Sequence, residues 1–126
     1  MQVVQLESIE PFVTKDGSEI RELLAYRNSC IRNQSLAEAR LRPGAATTPH
    51  FHRKTEEIYF ILEGQGLMYL DGQQRTVGPG DAIAIPPGAV HTIRNTGSGV
   101  LRFLCCCAPA YEHDDTVLVE LSEEGH

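Results

Sequence analysis

Two histidines one residue apart, His50 and His52, are followed five positions later by Glu57, a spacing suited to holding a metal ion. On an extended backbone successive side chains point to opposite faces, so His50 and His52 share a face while Phe51 turns away. Both imidazoles then reach one ion. Residues 57 to 62, Glu-Ile-Tyr-Phe-Ile-Leu, read as a strand from their β-branched and aromatic content. A return of the chain brings the Glu57 carboxylate beside the imidazoles, and Glu56, one register off, faces away. His91 opens a further strand directly after a Pro-Gly turn and offers a fourth donor. Three neutral imidazoles and one carboxylate leave an octahedral ion two free positions, open to water or to a ligand with two oxygens. A structural zinc site is more often closed by four ligands that include thiolates. The donor set suits one divalent transition ion, Fe, Mn, Zn, Ni, Co or Cu, without choosing among them. A 2+ ion and a ligand set of charge −1 leave a positive site, which favours an anionic substrate such as a carboxylate or enolate and Lewis-acid chemistry.

The surrounding residues extend this pattern. Gly44, His50, His52, Glu57 and Gly64 satisfy G-x5-H-x-H-x4-E-x6-G, and Gly80, Pro86, Gly88, His91 and Asn95 satisfy G-x5-P-x-G-x2-H-x3-N. Together they resemble the paired motifs of the cupin superfamily, in its small single-domain form. The resemblance covers about residues 44 to 95. It implies an all-β fold, a double-stranded β-helix or jelly-roll barrel with the metal inside, and a homodimer in which the N-terminal segment crosses the interface. The glycines, Pro86 and Asn95 are read as shaping turns and strands.

Many short alternating segments with turn signals every eight to twelve residues, and little helical periodicity, independently indicate an all-β sandwich or barrel. Peripheral strands are expected in residues 1–34, the barrel core in 35–108, and a last strand and tail in 109–126, all as one domain. The final Glu-Glu-Gly-His is expected to be disordered. Residues 18–24 fit a strand, although the same letters permit a helical turn. In residues 35–41 alternation turns Ser35, Ala37, Ala39 and Leu41 inward, small side chains that leave space. If Glu57 faces the metal, Tyr59 and Ile61 face the same cavity, and Ile93 and Asn95 follow from His91. With Arg102 outward, Leu101, Phe103, Cys105 and Cys107 point inward, whereas a slip by one residue would exchange that set for Leu104 and Cys106. Tyr59 is the candidate substrate contact or acid, with Ile61, Met68, Ile93, Phe103, Cys105 and Cys107 as the pocket lining. Arg53 and Lys54 read as a solvated loop, and Tyr111 or His113 reaches the site only if the tail folds over the barrel mouth.

The 126-residue chain has 17 acidic and 11 basic residues, a formal net charge of −6 and a pI near 5.3, which argues against nucleic-acid binding. No stretch has the length of a membrane span, and the first residues lack the basic and apolar regions of a signal peptide, so the expectation is a cytoplasmic protein. Of four cysteines three are consecutive, Cys105 to Cys107, and no CxxC occurs. They are read as reduced core residues. The leading expectation is a metal-dependent enzyme acting on a small, anionic molecule. Dioxygen chemistry is favoured over isomerase, epimerase or lyase chemistry because no carboxylate or lysine proton shuttle is evident. The alternative is a non-catalytic cupin that binds or senses a small molecule.

Overall fold

The computed structural model describes residues 1–121. After a 3-10 turn at Leu6–Ser8, the strands in chain order are β1 (Phe12–Val13), β2 (Glu19–Leu24), β3 (Ser35–Leu41), β4 (His50–His52), β5 (Glu56–Glu63), β6 (Gly66–Leu70), β7 (Gln73–Val77), β8 (Ala82–Ile85), β9 (His91–Asn95) and β10 (Leu101–Ala108). A second 3-10 turn, His113–Asp115, leads into β11 (Thr116–Leu118). All pairings are antiparallel. One sheet runs β1-β2-β3-β10-β5-β8 and the other β11-β4-β9-β6-β7. The two face each other as the jelly roll of a double-stranded β-helix, with no α-helix among the described residues.

The alternation read along the chain follows the burial. On β10, Leu101, Phe103, Cys105 and Cys107 are buried and the residues between them are half-buried. The register that turns Arg102 outward is therefore the one adopted. Residues 18–24 resolve to strand, because Ile20 packs into the core while β2 pairs along β3. The peripheral strand expected over residues 1–13 is shorter than its pattern. Only Phe12–Val13 pairs, in part because Pro11 has no N–H to give to a ladder. The last strand, expected within residues 109–126, spans only Thr116–Leu118, and the final Glu-Glu-Gly-His lies outside the described residues.

One end of the barrel is dry. Ile61, Met68, Ile93, Leu101 and Phe103 pack there with Ala39 and Leu41. Burying each larger side chain is worth roughly 1.5–3 kcal/mol, so this end supplies the stability that a polar opposite end lacks. Glu38, on the outward face of β3, is buried nonetheless, clamped by the guanidinium groups of Arg40 at 2.7 Å and Arg102 at 2.6 Å. Cys30 corrects the sequence reading. It is exposed rather than buried, while Cys105 and Cys107 lie in the interior as expected.

Gly64 joins β5 to β6 at φ +92°, and a Cβ there would sit 2.5 Å from the Val100 carbonyl oxygen. Both backbone and space therefore require glycine. Gly72, in the Asp71-Gly72 hairpin turn, has φ +87° but open space around it. Gly64→Ala should destabilise the fold by at least about 2 kcal/mol and Gly72→Ala by about 1 kcal/mol. Urea unfolding checks this, and equal losses at the two positions would contradict it.

Candidate metal centre

β4 lies between β9 and β11, so that His50 is opposite His91 and His52 is opposite Thr116. Glu57 comes from the other sheet, opposite Cys107 on β10. The three rings pack with centroids 4.2 to 5.5 Å apart, and one nitrogen of each lies within 4.8 Å of the others. Their tautomers follow from their partners. His50 Nδ1 lies 2.7 Å from the Thr48 carbonyl and His91 Nδ1 lies 2.9 Å from the Ala89 carbonyl, and a carbonyl can only accept. His52 Nδ1 lies 3.0 Å from Thr116 Oγ1. That hydroxyl donates its own proton to the Glu112 carbonyl, so it accepts from the ring. All three Nδ1 atoms therefore carry hydrogen, leaving each Nε2 a lone pair.

Glu57 completes the cluster. Its Oε2 accepts from the Cys107 thiol at 3.4 Å, while Oε1 stands 3.2 Å from His52 Nε2 and 3.6 Å from His91 Nε2. Glu57 Oε1 and His91 Nε2 are the two buried side-chain polar atoms without a hydrogen-bond partner among the described residues. A carboxylate oxygen thus faces nitrogen lone pairs in a nearly dry interior, an arrangement that repels unless a cation or a proton lies between. A divalent ion fits these residues, because it satisfies the orphaned atoms that otherwise cost roughly 1–3 kcal/mol each.

Burial, reinforced by the neighbouring His91, lowers His50 to about 4. Burial works to raise Glu57, but where His52 or His91 holds a proton on Nε2 that contact outweighs burial and holds the carboxyl down to about 2. Burial pushes the Cys105 and Cys107 thiols up, so they stay protonated and supply no soft thiolate. The donors are nitrogen and oxygen alone.

The cavity above the cluster measures about 40 Å³ as the space open to the centre of a water molecule. Tyr59, Phe103, Cys105 and Cys107 line it, together with the small Ser35 and Ala37. Ile61, Met68 and Ile93 do not. They are buried in the core away from the cavity lining, a depth along each strand that alternation does not encode. Tyr59 packs its ring 4.7 Å from that of Phe103 and 5.8 Å from that of His91. Burial, with the Glu57 charge, raises its hydroxyl well above 10, so it stays a neutral phenol. Asn95 donates to the Leu41 and Gly99 carbonyls and shapes its turn.

Two contributors, Thr116 and Asp16, escaped the sequence reading, and a third, Tyr111, was named only on condition that the tail folds over the mouth, which it does. Thr116 orients His52. Asp16, on the turn before β2, sets Oδ2 3.4 Å from His50 Nε2. Tyr111 lines the cavity mouth, because Arg27 holds the tail down through the Tyr111 carbonyl at 2.9 Å and Glu112 at 2.8 Å. His113 is exposed and absent from the lining, as are Arg53 and Lys54, whose loop is pinned by Asp115 accepting from the Lys54 and Thr55 amides.

A pH dependence follows from His50. Above its unfolded value of 6.5 the ring is neutral in both states, whereas between 6.5 and about 4 the unfolded chain binds a proton that the folded chain refuses. Metal-free protein should therefore lose on the order of 3 kcal/mol of stability through this group as pH falls across that window. Urea midpoints at several pH values check it. His50→Asn should flatten the slope, and a variant slope equal to wild type would contradict the assignment.

The cupin domain model matches residues 37–107. A protein of Methanocaldococcus jannaschii described only as uncharacterised is 48% identical over 122 residues, covering 95% of this chain and 98% of its own length. An oxalate-binding protein of Thermotoga maritima is 33% identical over 90 residues, 71% of this chain and 74% of that one. Among solved structures, the polyketide cyclase RemF from Streptomyces resistomycificus superposes with a TM-score of 0.81 at 27% identity, over 99% of this chain and 89% of RemF. With its family model spanning more than half the chain and its barrel carrying both motifs around one interior cluster, the protein belongs to the cupin family.

Proposed function

We propose that the protein is a metal-dependent cupin enzyme that holds one divalent transition ion through His50, His52, Glu57 and His91 and acts on a small oxygen-rich molecule. The reading rests on one observation: three nitrogen lone pairs and an unpartnered carboxylate oxygen converge in a buried cavity, each ring set by a partner on its far side. Bound there, the ion would supply Lewis-acid polarisation of substrate oxygens. The chain's own residues do the rest. Tyr59 donates a hydrogen bond, Phe103 and Ala37 exclude water, and Tyr111 narrows the mouth. Asp16 provides a carboxylate beside the site, which removes the reason for preferring dioxygen chemistry, and proton-moving chemistry of the isomerase, lyase or cyclase type is favoured instead. The likeness to a polyketide cyclase agrees with that preference. The relative described as oxalate-binding favours a second reading, a binding module without turnover. A homodimer through the N-terminal segment is supported by the exposed Val3, Val4, Phe12 and Val13.

His91→Ala and Glu57→Gln proteins should fold and, after chelation and reloading, keep less than about a tenth of the wild-type metal, while Thr116→Val should weaken metal affinity roughly tenfold. Undiminished metal in the first two variants would reject the ligand set. Incubation of loaded protein with small enols and hydroxy-ketones in deuterated water separates the readings. Exchange or rearrangement marks the enzyme, and binding without change marks the module. Size-exclusion chromatography should give a dimer that Val13→Lys dissociates, and a monomeric wild type would remove the dimer.

A further inference from the structure

We infer that Asp16 is a substrate-binding residue, and that it selects a chelating hydroxy- or enol-carbonyl compound over a dianion such as a dicarboxylate. The inference rests on the proposed metal site and narrows its substrate class. Asp16 sits on the turn between β1 and β2, and its two carboxylate oxygens have different surroundings. Oδ1 accepts three hydrogen bonds, from Thr14 Oγ1 at 2.7 Å, the Ser18 amide at 2.9 Å and Ser18 Oγ at 2.6 Å. Ser18 is itself buried, and the Asp16 carbonyl accepts from the Thr48 amide at 2.7 Å, which ties the turn to the loop carrying His50. The carboxylate is thereby aimed. Its other oxygen, Oδ2, accepts no hydrogen bond from the described residues and points at the cavity, 3.4 Å from His50 Nε2.

With His50 presenting a lone pair at Nε2, that ring has no proton to give Oδ2. The aimed oxygen therefore needs a donor from whatever enters the cavity beside His50. A hydroxyl or enol supplies one, whereas a carboxylate supplies none and adds charge repulsion. Charge over the whole cavity points the same way. No lysine or arginine lines it, and three carboxylates do, Asp16, Glu22 and Glu57. Glu22 is neutralised by Arg27 at 2.6 Å. A 2+ ion with Glu57 and Asp16 then sums to zero, where the motif residues alone gave a positive site. A neutral ligand or a monoanion suits that field, and a second negative charge gains little from it.

The test is equilibrium binding to cobalt-loaded protein by calorimetry, with kojic acid as the hydroxy-ketone probe and oxalate as the dianion. Wild type should prefer kojic acid. Asp16→Asn keeps the shape and the Oδ1 acceptor but removes the charge, and should weaken kojic acid at least tenfold while leaving oxalate unchanged or tighter. Thr14→Val loosens the clamp without removing the carboxylate and should move the ratio in the same direction by less, which keeps the test open should Asp16→Asn misfold. An unchanged ratio of the two affinities in folded, fully loaded Asp16→Asn protein, or a tighter hold on oxalate than on kojic acid in wild type, overturns the inference alone. A wild-type chain that takes up no cobalt overturns the metal site, and the inference with it.

Discussion

Like-signed electron density forced together at the barrel's interior is the constraint on which the rest depends. Glu57 Oε1 stands within 3.2 and 3.6 Å of two ring nitrogens whose protons are committed elsewhere. No lysine or arginine lines the cavity to relieve that repulsion. The cluster is stable only because the opposite end of the barrel is packed and dry, and because the strands bearing the donors are each paired on both sides. Rigid β4, held between β9 and β11, keeps two imidazoles from swinging apart to find other partners.

That rigidity is built in two layers. The backbone ladder sets which residues share a face, and a ring of acceptors behind the imidazoles sets which nitrogen looks inward. Two of the acceptors are carbonyls two residues upstream of their own histidine, Thr48 and Ala89, so the local chain supplies them. The third, Thr116, comes from a strand 64 residues away and couples the tail to the site. The same tail brings Tyr111 to the mouth, so the C-terminal segment both orients a donor and limits entry.

Electrostatics around the cavity changes the substrate argument. From the motif residues alone the charge count is positive and favours an anion. Once Asp16 is added the count falls to zero, and the free oxygen of that carboxylate asks for a hydrogen-bond donor. A single residue on a surface turn, brought in by the pairing of β1 with β2 and by the Thr48 amide, thus alters what chemistry suits the pocket.

The sequence by itself determined the barrel and nominated His50, His52, Glu57 and His91, because a period of two and two spaced motifs are properties of neighbouring residues, while it left two registers open for β10. It left open how deep each inward residue lies, so Ile61, Met68 and Ile93 read like Tyr59 and Phe103 although only the latter two line the cavity. Cys30 and the true extent of β1 and β11 were equally out of reach, since exposure depends on what packs above. Only the tertiary structure decided the roles of Asp16, Tyr111 and Thr116. Each reaches the centre through strand pairing or a long-range hydrogen bond, and no local pattern records where a distant segment will return.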